Sequence, residues 1–217
     1  MGICSGTLNN DQEAEAYLSK ALELAPTSAA AWTALGLLYH WQDRNKESFE
    51  ILTKALDYAP NNEFIHFELA LIASILKDWN ASLIHYNKCI NINQNFYAAF
   101  VNRGIVYQEL WRIEDTLNSY NQAIKIALKQ TQALYRSAYL LKDLGMNQES
   151  IRRYCLVLEK YPDSKEIHAD LGMLYCRVNN LSSAEHHFEK SYRSQSVSQQ
   201  KQTKKCTVID MGYEVFS

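Results

Sequence analysis

The side chains able to do chemistry are few, and their spacing is poor for it. The chain has six histidines and five cysteines. His186 and His187 are adjacent, so on a helix they diverge by about 100° and cannot chelate as an i, i+4 pair does. Cys4, Cys89, Cys155, Cys176 and Cys206 lie far apart, are odd in number and form no CxxC. That pattern indicates neither a disulfide framework nor a structural zinc site, and it suits a reducing compartment. No GxGxxG, GxxxxGK[ST], HExxH or GxSxG occurs, so no phosphate cradle or nucleophile elbow is encoded. The expectation is a protein that is not an enzyme and carries no cofactor or metal.

Composition narrows the elements that hold these residues. The chain has 217 residues, 47% hydrophobic, 21% charged, with a formal net charge of −2. That is globular and not disordered. Only seven glycines and three prolines are present, which favours long helices over a turn-rich β protein. No apolar run reaches the ~18 residues of a transmembrane helix. The N-terminal MGICSGTLNN has neither the basic nor the apolar region of a signal peptide, and Gly6 stands where a myristoylation motif needs Ser or Thr. The sequons Asn80-Ala-Ser82 and Asn180-Leu-Ser182 are therefore read as chance, and the expected location is cytoplasmic. An acidic body without a repeating basic stripe gives no footprint for nucleic acid.

The strongest signal is periodic. The interval from Pro26 to Pro60 is one period, and Pro162 follows Pro60 after three more. Gly36, Gly104 and Gly172 recur at two periods, each followed three places later by Tyr39, Tyr107 or Tyr175. Such spacing means stacked copies of one unit. The segment Trp32-x-x-Leu35-Gly36-x-x-Tyr39, closed by Ala55 and Pro60, resembles the tetratricopeptide repeat, whose unit is about 34 residues long. His168-x-x-Leu171-Gly172-x-x-Tyr175 with Ala184-x-x-x-Phe188 matches it again, His taking the Trp place. Phe100, Gly104, Tyr107, Tyr120 and Ala123 carry a third copy. Weaker copies run through Leu69, Ala70, Ser82, Tyr86 and Cys89, and through Leu134, Ala138, Tyr154 and Pro162. His66 and His168 sit in the Trp place and read as packing residues. Cys89 and Cys155, on second helices, read as small core or near-core residues.

The resemblance implies an all-α fold: a right-handed α-α superhelix of about five full repeats, each an antiparallel helix A and helix B. The units are 29–62, 63–96, 97–130, 131–164 and 165–196. Small residues at Gly36, Ala70, Gly104, Ala138 and Gly172 let helix A approach helix B, and large neighbours fill the space between. Ala14, Leu18, Ala21 and Pro26 fit helix B of an earlier, partial unit over 1–28. Gly2 then falls at a helix-A glycine place and Leu8 near the end of that helix. A free helix B acting as a cap is the alternative. From Arg193 onward four basic and two acidic residues give +2, leaving −4 for the remainder. The tail 197–217 reads as polar and flexible, ending in the β-like CTVIDMGYEVFS.

Function is expected on the inner faces of the A helices, which in this family bind a peptide or partner helix. The residues singled out are Phe67, Leu71, Asn102, Tyr135, Arg136 and Tyr139. The apolar side chains would receive apolar groups, and Asn102 and Arg136 would hold backbone or an acidic group. Packing between neighbouring A helices is the alternative role for Phe67 and Leu71. The carboxylate clamp of chaperone-binding co-chaperones is not reproduced: Asn102 and Arg136 match, but Phe67, Leu71 and Gln132 replace the other three. Nor is an asparagine ladder, since Ala34, Glu68, Asn102, Arg136 and Asp170 occupy its place. The reading is a non-catalytic, protein-binding scaffold. Alternatives are the recognition portion of a larger enzyme or transport machine, a secretion-type chaperone, or self-association through the array ends.

Overall fold

A computed structural model describes residues 4–192, with side chains from residue 11 onward. Among the described residues the chain is helical throughout and contains no strand. The first helix, α1 (Cys4–Leu24), is followed by A and B helices in strict alternation. The A helices are α2 (Ala29–Trp41), α4 (Glu63–Ile75), α6 (Tyr97–Glu109), α8 (Thr131–Asp143) and α10 (Lys165–Arg177). The B helices are α3 (Asn45–Tyr58), α5 (Trp79–Ile92), α7 (Ile113–Ile126), α9 (Asn147–Lys160) and α11 (Leu181–Tyr192). Each A helix begins one sequence period after the last, and so does each B helix. The architecture is an all-α helical-repeat solenoid. Its described residues divide into two compact units, the first ending at Ser137 and the second beginning at Ala138.

Local chemistry starts and stops these helices. Ser28 and Asn62 precede A helices, and their side chains accept from the N–H groups of Ala31, and of Phe64 and Ile65. Asp78 caps α5 through Ala81 N. Between helix A and helix B one residue always turns left-handed: Asp43, Lys77, Trp111, Gly145 and Asn179, with φ between 57° and 72°. Only Gly145 adopts this at no steric cost. Trp111 is 85% exposed there, so its side chain adds strain and little packing. Trp111→Gly is expected to stabilise the fold by about 0.5–1 kcal/mol, read as a higher urea midpoint at unchanged m-value.

In the first unit, large side chains of helix B fill the gaps left by small ones on helix A. A Cβ on Gly36 would lie 2.6 Å from Leu52 Cγ, and one on Gly104 would lie 2.6 Å from the Tyr120 ring. Leu52, Tyr86 and Tyr120 are all but inaccessible. Ser48 Oγ donates to Gly36 O at 2.6 Å, satisfying itself inside the seam. In the second unit, Gly172 faces Phe188 with the same 2.6 Å clearance, and Ser150 Oγ donates to Ala138 O at 2.7 Å.

The tryptophan place has a polar purpose. Trp32 Nε1–H donates to Pro26 O at 2.8 Å, tying helix A to the end of the preceding helix B. His66 Nε2 meets Pro60 O at 3.1 Å, and His168 Nε2 meets Pro162 O at 2.8 Å. An imidazole N–H does the work of the indole N–H, so His is a functional replacement and not a lapse in the pattern. Each of these histidines also meets a second one across the hairpin: His66 Nδ1 to His85 Nδ1 at 3.0 Å, His168 Nδ1 to His187 Nδ1 at 2.8 Å. The pairing holds when His66 and His168 carry their proton on Nε2 and His85 and His187 on Nδ1.

At the N-terminus the structure departs from the register. Sequence spacing puts Leu8 near the end of a helix A, but α1 runs unbroken from Cys4 to Leu24. The tail 197–217, with its CTVIDMGYEVFS ending, lies outside the described residues.

Candidate functional site

The A-helix positions are numbered from the first residue of each helix. Position six carries Asn102 and Arg136 in the first unit and Asp170 in the second. Each meets the hydroxyl of a tyrosine on the preceding helix B. Asn102 and Ser74 share the Tyr86 hydroxyl, and Arg136 and Gln108 share that of Tyr120. Burial pushes both phenols up to about 12, so they remain neutral donors and acceptors at all ordinary pH. In the second unit Tyr154 O–H donates to Asp170 Oδ2 at 2.8 Å. These polar side chains thus tie one hairpin to the next. The spacing of Tyr86, Tyr120 and Tyr154 carried this signal, but nothing in the sequence said which residue each hydroxyl would meet.

Glu68 holds position six earlier in the first unit and is buried. Desolvation raises its carboxyl above the ordinary range, with His40 acting in the opposite sense. Phe67, at position five, stacks on Phe96 with centroids 4.9 Å apart and meets Tyr86 edge-on at 6.0 Å. Its ring is half-buried and serves the hydrophobic core. Tyr135, at position five two periods later, is 39% exposed.

Position nine is apolar in every A helix. Leu37, Leu71 and Ile105 occupy it in the first unit, each half-buried. Tyr139 and Met173 occupy it in the second, at 44% and 45% exposure. In each unit this apolar position is left partly exposed, and burying apolar surface is favourable in general.

Beside Tyr139 lies a polar cluster that the sequence reading did not single out as a unit. Lys142 Nζ pairs with Asp170 Oδ1 at 2.8 Å, the two side chains being 13% and 14% exposed. The same ammonium lies 4.3 Å from the centroid of the Tyr139 ring, and Arg177 Nη1 donates to Lys142 O at 3.1 Å. Lys142 and Asp170 are 28 residues apart, so their pairing was not readable as a local helix pair. Among the described residues no cluster of three or more His, Cys, Asp or Glu is placed to hold a metal ion. None of the described helices is long and apolar enough to cross a membrane.

Paired helices repeating at one fixed period, with a small-against-large seam and an apolar face on every helix A, define a helical-repeat protein. Family models for the tetratricopeptide repeat match residues 1–28, 29–62 and 132–164. The chain is a tetratricopeptide-repeat superfamily protein. A Gibberella zeae protein named as a methyltransferase is 28% identical over 120 residues, which is 54% of this chain and 16% of that protein. Anaphase-promoting complex subunit CDC16 of Saccharomyces cerevisiae is 22% identical over 193 residues, 85% of this chain and 23% of that one. The chain therefore spans about a fifth of the length of these curated relatives. The solved structure of YrrB, described as a TPR protein with an unusual peptide-binding site, shares the fold. Its TM-score is 0.69 at 17% identity, over 82% of this chain and 92% of that chain.

Proposed function

We propose that the chain is a non-catalytic scaffold that holds a peptide or helical segment of a partner protein against the inner faces of its A helices. The observation that carries this is the apolar position nine: Leu37, Leu71 and Ile105 in the first unit, Tyr139 and Met173 in the second. These would take apolar side chains of the ligand. Asn102 and Arg136, both half-buried, would bind its backbone or an acidic group. Tyr135 would widen the apolar strip, while Phe67 would act mainly by supporting it. Cytoplasmic location is part of the proposal, resting on the thiols of Cys89 and Cys155.

A second reading places the chain as the recognition portion of a larger assembly or enzyme. It is favoured by CDC16 and the methyltransferase, in which the matched region is a minor fraction of the whole.

The test is selection of binders from a random peptide display library, followed by affinity measurement on Leu71→Glu/Ile105→Glu. Selected peptides are expected to carry apolar residues and to lose at least about tenfold in affinity, equivalent to ~1.4 kcal/mol. Tyr139→Ala would report on the second unit in the same way. Selection without enrichment, or equal affinity for wild type and variants with unchanged melting, would overturn the proposal.

A further inference from the structure

In the later repeats, position six of helix A and a tyrosine of the preceding helix B satisfy each other. Asn102 meets Tyr86, Arg136 meets Tyr120, and Asp170 meets Tyr154. One period before Asn102 and Tyr86, the same two places hold Glu68 and Leu52. A leucine has no hydroxyl to donate. Leu52 fills the gap over Gly36 just as Tyr120 fills the gap over Gly104, but it does so with carbon alone. Glu68 is therefore left without the donor that the later members of its series receive.

No other described residue supplies that donor. Only 9% of Glu68 is exposed, yet among the described residues its carboxyl accepts no hydrogen bond and joins no ion pair. His40 acts on the charge from a distance. Its Nδ1–H is committed to Asn45 Oδ1 at 2.7 Å, because Asn45 Nδ2 donates to Asp43. The Tyr86 phenol also feels the Glu68 charge, but Ser74 and Asn102 share that hydroxyl. The Glu68 oxygens are not among the buried side-chain atoms sealed away without a partner, so they touch the surface. A carboxylate that is nine-tenths buried, unpaired and still reachable from outside is half of an ion pair. Burying it alone is unfavourable, and a cation brought to it offsets that penalty.

The flanking positions say what carries the cation. Leu37 and Leu71, half-buried at position nine of α2 and α4, are apolar. Trp41, at position thirteen of α2, is 79% exposed. Position six of α2 is Ala34, which sends no donor towards the acid. We propose that Glu68 is a specificity site, holding the ammonium or guanidinium of a Lys or Arg side chain carried by the apolar segment that the first unit binds. The methylenes of that side chain lie along Leu37 and Leu71 while its charged head reaches the acid. This inference rests on the scaffold reading and adds to it the charge of the ligand.

The test uses the full chain and peptides selected on it from a random display library. An enriched peptide is synthesised with its N-terminus acetylated, so that any cation is a side chain, and each basic residue is replaced in turn by methionine. On wild type, one such replacement is expected to weaken binding at least about tenfold. On Glu68→Gln the same replacement is expected to change affinity by less than about twofold. Glu68→Gln is expected to melt at or above the wild-type temperature, because it removes an unpaired buried charge. Leu52→Tyr is the second variant. It offers Glu68 the hydroxyl that Tyr120 offers Arg136, and it is expected to weaken the basic peptide while leaving the methionine version unmoved. Should Glu68→Gln not fold, Leu52→Tyr carries the comparison. Enriched peptides without Lys or Arg, or equal losses on wild type and on the folded variants, would overturn this proposal and leave the scaffold reading standing. No enrichment at all would overturn both.

Discussion

Acidification from pH 7 to pH 4 is expected to cost this protein several kcal/mol, with the loss traceable to two histidine pairs. Burial is the largest cause holding His85 down at about 4, with His66 and Lys88 adding to it. Burial likewise holds His187 at about 4, with His168, His186 and Lys190 adding. His66 is lowered too, mainly by burial. The unfolded chain takes up these protons near pH 6.5, whereas the folded chain resists them until about pH 4. Between those values the unfolded state binds more protons, so unfolding free energy rises with pH. The contribution is fully present above pH 6.5 and disappears as the pH falls towards 4. Discounted for partial exposure, each of His85 and His187 is worth about 1–3 kcal/mol.

The repeat supplies its own control. The first hairpin solves the same packing problem with Trp32 and Ile51, which stand one period before His66 and His85. Trp32 donates to Pro26 O and has no titration in this range. His66→Trp/His85→Ile, alone and combined with His168→Trp/His187→Ile, is expected to leave stability at pH 8 within about 1.5 kcal/mol. The four-fold variant should flatten the dependence of the urea midpoint on pH between 4 and 6.5. An unchanged slope would place the acid sensitivity on carboxylates.

The second large effect is expected from Asp170→Ala. It removes the acceptor of two donors at once, Lys142 Nζ and Tyr154 O–H, both at 2.8 Å. Tyr154 is fully buried and the Lys142 side chain is only 13% exposed, so neither recovers its bond with bulk water cheaply. A loss of about 2–4 kcal/mol follows, a fall in Tm of roughly 5–10 °C. Lys142→Met/Tyr154→Phe/Asp170→Leu replaces the whole cluster by apolar groups and should recover most of that loss. A Tm unchanged by Asp170→Ala would mean that water already serves these donors. The same pair of variants separates stability from ligand capture at Tyr139, because only the apolar triple removes the Lys142 ammonium beside that ring.

How much was legible in the sequence depended on whether a residue speaks to its neighbours or to a distant helix. The period, the alternation of helices and the small places at Gly36, Gly104 and Gly172 were all readable, because each hairpin must solve the same short-range packing problem. The replacement of Trp by His at 66 and 168 was visible, but its reason was not. It depends on a proline carbonyl six residues back and on a second imidazole nineteen residues ahead. Asn102 and Arg136 were named as residues of the inner faces of the A helices, and the structure adds that each also meets a tyrosine hydroxyl.

The sequence by itself determined the kind of protein this is: its repeated helical pairs, its family, and the apolar ninth position. These are periodic, and periodicity is written locally. Only the tertiary structure decided which polar side chains are paired and that Phe67 stacks within the core. Those facts depend on what lies across a gap between helices, and the same residue type can be buried or open according to whether a neighbour is there to cover it.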